Sequence, residues 1–343
     1  MIIKLNKKVL FIILVVLIVG IIATVSLLHF TDSSQNIVAG GTIHPALDAI
    51  VNSIPVSNQQ DADGSERFQR PSKEQPFTAP YSFDDFKKED ERPPLITKKS
   101  ESPEDLLLAY YGILRNASNM SGYSGGCGTI GEVNLPYPYA YELLTTEKQK
   151  EISLTKFIDS FRGIGYITLL KIVPAYISPL TPSNIEYYMV EIEVITGAKV
   201  NNNGGYNQGS FFAYYYGLVT VKKTPKNGWK INNIDYIPED FLCAPMHGWF
   251  YDSDMVVQIV YGNNLKIIEQ IDKTEKEGNM IYIYASGYGK QYRFDFIRLT
   301  NGYDILLHEN VLENGQWKET SLLTDKWKYL KLANQFGSAE NSV

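Results

Sequence analysis

The sequence predicts an α+β fold behind a membrane anchor, and three observations predict it. An apolar run of twenty residues, 9–28, follows Lys4, Lys7 and Lys8. Helix-start signals and three-to-four spacings of apolar residues gather between Ser102 and Phe161. After Gly165 the spacing changes to strict alternation, the period of a β-strand.

Twenty helical residues at about 1.5 Å each reach about 30 Å, the thickness of a bilayer core. The run ends in Leu27, Leu28, His29 and Phe30, a poor cleavage site, and no cysteine follows for lipid modification. The lysines stand on one side only; the next basic residue is Arg67. Residues 1–8 are therefore expected in the cytoplasm, 9–28 as an uncleaved single-pass signal-anchor, and the rest outside the cell membrane. Taking those three lysines from the 32 Lys and Arg leaves 29 basic against 38 acidic residues in the exported part. That acidity argues against nucleic acid as a partner.

Residues 29–100 are rich in Ser, Asn, Gln, Asp and Pro, with apolar patches only at 43–54 and 77–86. Such a segment buries too little apolar surface to offset its ordering entropy, so a disordered stalk is expected. Folding is expected from 101. Ser102-Pro103-Glu104-Asp105 combines a cap, an N1 proline and acidic residues at the positive helix end. Leu106, Leu107, Tyr110, Tyr111 and Leu114 supply the apolar stripe. Thr145 and Ser153 start two further short helices, and Gly163 ends the last.

Strands are expected at 166–176, 186–196, 208–223 and 229–237, with a hairpin turn at Lys226-Asn227-Gly228. In the second of these Tyr188, Val190, Ile192 and Val194 form a clean apolar row, and Met189, Glu191 and Glu193 face the other way. Beyond them 254–276 reads as helical with a weak point at Gly262-Asn263-Asn264. Strands follow at 280–285, 292–300 and 303–309, with turns at Asn301-Gly302 and Asn314-Gly315. These make 101–250 a cone-like α+β domain and 251–320 a small α+β subdomain, with an extension of the first sheet as the alternative. Residues 321–343 are expected as a helical or frayed tail.

Ser102-Pro103-Glu104 leading to Ala109-Tyr110-Tyr111, then Ala140-Tyr141-Glu142-Leu143-Leu144-Thr145, Phe157 and Phe161, and strands closed by Gly228-Trp229-Lys230-Ile231, resemble the nuclear transport factor two-like superfamily. The likeness is greatest to its membrane-anchored extracytoplasmic bacterial members and covers about 102–238. It implies helices packed in the concave face of a bent sheet, often with a pocket at the open end. Isomerases of the superfamily bury an acid in that cone opposite a tyrosine; here Asp235, with Tyr215 or Tyr216, is the matching candidate. The same fold hosts non-catalytic modules, so it does not decide activity.

Two catalytic patterns overlap at 122–132. Gly122-Tyr-Ser124-Gly-Gly126 fits a serine elbow and Gly126-Cys-Gly128-Thr-Ile-Gly131 a dinucleotide loop. Each needs a strand before it and a helix after it, and a polar segment and two prolines stand there instead. No catalytic residue, cofactor or metal site is expected; the four histidines are far apart in sequence. Two cysteines in an exported domain make Cys127–Cys243 a candidate disulfide, with two free thiols as the alternative. Tyr214, Tyr216, His247, Trp249 and Phe250 are the candidate partner or ligand surface; the other reading makes 243–250 a buried linker that packs the two parts together and the tyrosines core and sheet surface. The expected function is non-catalytic binding or scaffolding in the cell envelope, to a protein or a cell-wall component. The alternatives are a small-molecule isomerase or hydrolase using the cone pocket, and an envelope sensor.

Overall fold

Helix α1 (Pro103–Leu114) starts where its sequence says it should. The Ser102 hydroxyl accepts from the Asp105 amide at 3.1 Å, and Pro103 takes the first helical position. This comes from a computed structural model that describes residues 37–44, 82–87, 100–125, 133–176, 181–200, 211–239 and 248–336. The expected anchor at 9–28, the cysteines Cys127 and Cys243, and His247 lie outside the described residues. Helices α2 (Tyr137–Glu142), α3 (Thr146–Glu151) and α4 (Leu154–Asp159) follow, the last two capped by Thr145 and Ser153. Among the described residues no helix is long and apolar enough to cross a membrane.

The first sheet has six strands: β1 (Ile37–Val38), β2 (Gly41–Ile43), β4 (Ile164–Pro174), β5 (Ile185–Thr196), β7 (Phe211–Thr224) and β8 (Gly228–Pro238). Their order is β1-β2-β8-β7-β5-β4, antiparallel except for the parallel pair β2·β8. Two further short strands, β3 (Tyr123–Ser124) and β6 (Ala198–Lys199), pair as a separate ribbon. On β5 the row Tyr188, Val190, Ile192 and Val194 packs with α1 to α4 in one core, as the alternation requires. The opposite face of this sheet is not solvated. Tyr187, Met189, Tyr216, Leu218 and Ile237 belong to a second core shared with the C-terminal part.

Two pieces of the stretch read as a stalk are ordered. Ser82 caps a short 3₁₀ turn, Phe83–Phe86, which buries Phe86. The hairpin β1–β2 joins the sheet outright: His44 N–H donates to Tyr236 O at 2.8 Å, and Thr42 and Ile43 sit beside Asp235 and Tyr236. A composition count misses this because eight residues suffice for a strand pair when the partner edge is already built.

The second sheet has five antiparallel strands in sequence order: β9 (Gln270–Glu277), β10 (Met280–Gly287), β11 (Lys290–Arg298), β12 (Asp304–Glu313) and β13 (Gln316–Thr320). The expected helix over 254–276 is half right. Helix α5 (Ser253–Val256), capped by Asp252, runs on as the π-helical segment Val257–Asn264, closed by Leu265 N–H to Val260 O at 2.8 Å. It stops at the Gly262-Asn263-Asn264 weak point, and Lys266 takes φ 53°. Ile267 and Ile268 then leave the helix, and 270–277 pairs with β10 instead. A strand with one half-covered face and alternating charges gains more from ladder bonds than from extending a polar helix. At Asn314-Gly315 both residues have positive φ, 52° and 76°, the two-residue hairpin chemistry that sequence predicts. A 3₁₀ turn, Lys328–Leu330, and helix α6 (Leu332–Gln335) close the described chain.

Candidate functional site

The helix-covered face of the first sheet, which the resemblance makes the interior of a cone, is filled. Tyr110, Tyr111, Tyr137, Phe157, Phe161 and Tyr236 are buried together, and the Tyr111 and Tyr236 hydroxyls meet at 2.8 Å. Burial raises Tyr110 and Tyr236 well above the ordinary phenol range, so they stay neutral. The turn between β1 and β2 packs on this cluster. Gly40 has φ 80°, donates to the Ser160 hydroxyl at 3.0 Å, and leaves only 2.5 Å between the position of a Cβ and Tyr110 Oη. Glycine is required there both for its left-handed backbone and for the close approach.

Asp235, the candidate acid, points away from that interior. It alternates with Ile234 and Tyr236, which face the cone, and its carboxylate accepts from Asn233 Nδ2 at 2.7 Å and lies 2.8 Å from His44 Nε2. His44 is thus part of the fold and not of a stalk. Tyr215 stays on the cone side against Tyr236, and Tyr216 belongs to the other core. Ser124 sits in β3 opposite Ala198 rather than on a strand-to-helix turn. Among the described residues no group of three or more His, Cys, Asp or Glu is placed to hold a metal ion.

The candidate surface Tyr214, Tyr216, Trp249 and Phe250 is interior, each residue being 7 % exposed or less. Tyr216, Trp249 and Phe250 fill the core between the sheets, and Trp249 meets Trp327 edge-on at 5.9 Å. For Trp249 and Phe250 the burial agrees with the buried-linker reading of 243–250 and not with a partner surface. Trp249→Ala is therefore expected to cost about 3 kcal/mol in chemical denaturation. A loss below about 1 kcal/mol would mean that the two sheets do not depend on this contact.

A concave site does exist, on the outer face of the second sheet. β10 alternates cleanly: Ile281, Ile283 and Ala285 face the core, and Tyr282 and Tyr284 face out. An open cleft of about 780 Å³ runs over these tyrosines between the end of β4 (Val173, Pro174) and β9 (Glu275, Glu277). Arg293 donates twice to Asp295, at 2.7 and 2.9 Å, and Asn310 Nδ2 donates to the same carboxylate at 3.2 Å. The Arg293 guanidinium lies 5.5 Å from the Tyr282 ring centre and 5.4 Å from that of Trp317. Burial opposes its charge, and the bonds to Asp295 and the nearby tyrosines outweigh that, so its pKa is raised. His308 links the two sheets, with Nε2 3.2 Å from Pro174 O and Nδ1 2.9 Å from Glu319.

Glu275 is held below the ordinary carboxylate range, first by its contact with Lys273 and then by a hydrogen bond from Tyr284. Burial raises the Tyr282 and Tyr284 phenols, and neighbouring carboxylates add to it. The Tyr282 and Tyr284 phenols therefore stay neutral at neutral pH beside the Arg293–Asp295 pair. Sequence reasoning missed it. Its available signal was the alternation Met280-Ile-Tyr-Ile-Tyr followed by Arg293 and Asp295 two residues apart, which puts all four outward side chains on one face once β10 and β11 pair.

No family model and no curated protein matches the chain. Among solved structures it is similar to an "Ntf2 like protein involved in plasmid conjugation", with 10% identity over 51% of this chain and 83% of that one and a TM-score of 0.17. The assignment to mixed α+β rests on the helices and sheets described above.

Proposed function

We propose that this chain is a non-catalytic binding or scaffold module of the bacterial cell envelope, held to the membrane by residues 9–28 with its folded part outside. The observation that carries this reading is the contrast between its two concavities. The cone, where a catalyst of this fold would work, is packed with aromatic side chains and the Gly40 turn, and the buried carboxylates Glu191 and Asp235 face away from it. The cleft on the second sheet is open and aromatic, and its Arg293–Asp295–Asn310 cluster is held by hydrogen bonds. Such a surface suits recognition of an envelope protein or a wall component.

In intact protoplasts, added protease is expected to digest the chain beyond 31 and leave a membrane-bound N-terminal fragment. Full protection of the chain would overturn the topology. In-cell crosslinking of the full chain is expected to give envelope adducts that Tyr284→Ala removes and Ser124→Ala leaves intact. If Ser124→Ala abolished the cellular phenotype in a folded, abundant protein, the non-catalytic reading would be wrong.

A further inference from the structure

We infer that the cleft over Tyr282 and Tyr284 binds an uncharged saccharide chain, an inference that rests on the binding-module reading above. The two tyrosines are two residues apart on one strand, so their rings stand about 7 Å apart on one face. That is the scale on which neighbouring sugar rings of a chain follow one another. Flat aromatic faces stack on the C–H faces of pyranose rings, and planar polar groups beside them address the hydroxyls.

Those planar groups are present and held in place. Arg293, Asp295 and Asn310 fix one another by hydrogen bonds of 2.7 to 3.3 Å. Asp295 is only 5 % exposed, so its orientation is set before any ligand arrives. Arg293 and Asp295 line the cleft, and Asn310 behind them holds the carboxylate in place.

The charges select against other ligand classes. Arg293 is matched by Asp295 and Lys273 by Glu275, and the remaining charges of the lining, Lys276 and Glu277, are one of each sign, so the cleft offers no net positive charge to a phosphate or carboxylate ligand. Asp295 is likewise neutralised by Arg293, and among the described residues no group of three or more His, Cys, Asp or Glu is placed to hold a metal ion. An extended peptide gains its affinity from main-chain bonds to a free sheet edge. Here the tyrosines lie on interior strand β10, paired on both sides by β9 and β11, and a peptide added to the free edge of β9 would lie one strand away from the tyrosine rings. A ligand rich in hydroxyls and poor in charge is what the remaining chemistry accommodates.

The test uses the full-length protein in detergent, titrated calorimetrically with two neutral tetrasaccharides, chitotetraose and maltotetraose. An alanine pentapeptide and the deacetylated, cationic form of chitotetraose are run beside them. Binding of at least one neutral sugar is expected, weakened about tenfold or more by Tyr284→Ala and by Tyr282→Ala. Arg293→Lys, which keeps the charge and loses the bidentate fork, is expected to weaken it as well. Unfolding midpoints of the three variants are measured, and only those within a few degrees of the parent are compared. Binding of the peptide alone, lost in Tyr284→Ala, would overturn the saccharide assignment and leave the binding-module reading standing. Binding of the cationic sugar alone would overturn it in the same way. Absence of binding to every probe, together with envelope adducts that Tyr284→Ala does not change, would overturn both.

Discussion

A chain that begins after His44 is expected to unfold at far lower denaturant than the full chain, although composition marks 29–100 as a stalk. The truncation removes β2 from the edge of β8, with its ladder bonds and the bond from His44 N–H to Tyr236 O. It leaves Asp235, 4 % exposed, without His44. It also strips Ala39 and the Gly40 turn from Tyr110, Phe157 and Phe161, opening the aromatic interior to water. Lost packing on a cluster of this size is worth about 3–5 kcal/mol, and the edge strand adds to that. The substitution Gly40→Val isolates the packing part. A branched Cβ would sit 2.5 Å from Tyr110 Oη at a φ of 80°, so overpacking and backbone strain combine to about 3 kcal/mol. Urea denaturation of both variants reads the effect. A truncated chain as stable as the parent would show that the hairpin is a passenger on the sheet.

Lys171→Ala is expected to destabilise by a similar amount through electrostatics. Lys171 and Glu191 pair between the two sheets, 8 % and 0 % exposed. The same carboxylate accepts from the Thr300 amide at 2.8 Å, and Lys171 reaches the Thr300 hydroxyl at 3.2 Å, tying the turn after β11 to the first sheet. Removing the lysine leaves a buried carboxylate without its counter-charge, which costs about 3–5 kcal/mol. Lys171→Met combined with Glu191→Met is expected to recover most of that loss, because two apolar side chains need no counter-charge. A loss below about 1 kcal/mol for Lys171→Ala would show that water reaches the site.

Glu239 makes this cluster pH-sensitive in the parent protein. Its carboxyl oxygens are buried beside Glu191 and the Asn301 backbone, in contacts short of hydrogen-bond geometry. Burial, then the Glu191 charge, push its pKa well above the ordinary 4.5, and Lys171 only partly opposes them. The folded state thus holds a proton that the unfolded chain releases near pH 4.5. The stabilisation is complete below that value and is lost as pH rises toward the folded pKa. Glu239→Gln is expected to flatten the fall in stability over that window. An unchanged slope would place the carboxyl in contact with solvent.

The sequence by itself determined the local structure. Ser102, Thr145 and Ser153 are caps because their hydroxyls satisfy amides that each helix start leaves free. Strands 185–196 and 280–287 were legible from alternation, and Asn314-Gly315 from the positive φ its turn demands. What it did not determine is which face each strand shows to what. Glu191, on the polar-looking face of β5, is fully buried because a sheet a hundred residues later covers it. Trp249 and Phe250 read equally as a buried linker or as a rim, and the same sheet makes them core. The hairpin at 37–43 is a strand only because β8 offers it an open edge. The cleft exists only once β9 to β12 and the end of β4 come together. Periodicity reports how a segment divides its own surface between two faces. The partner that buries a face is set by long-range packing, which no local pattern encodes.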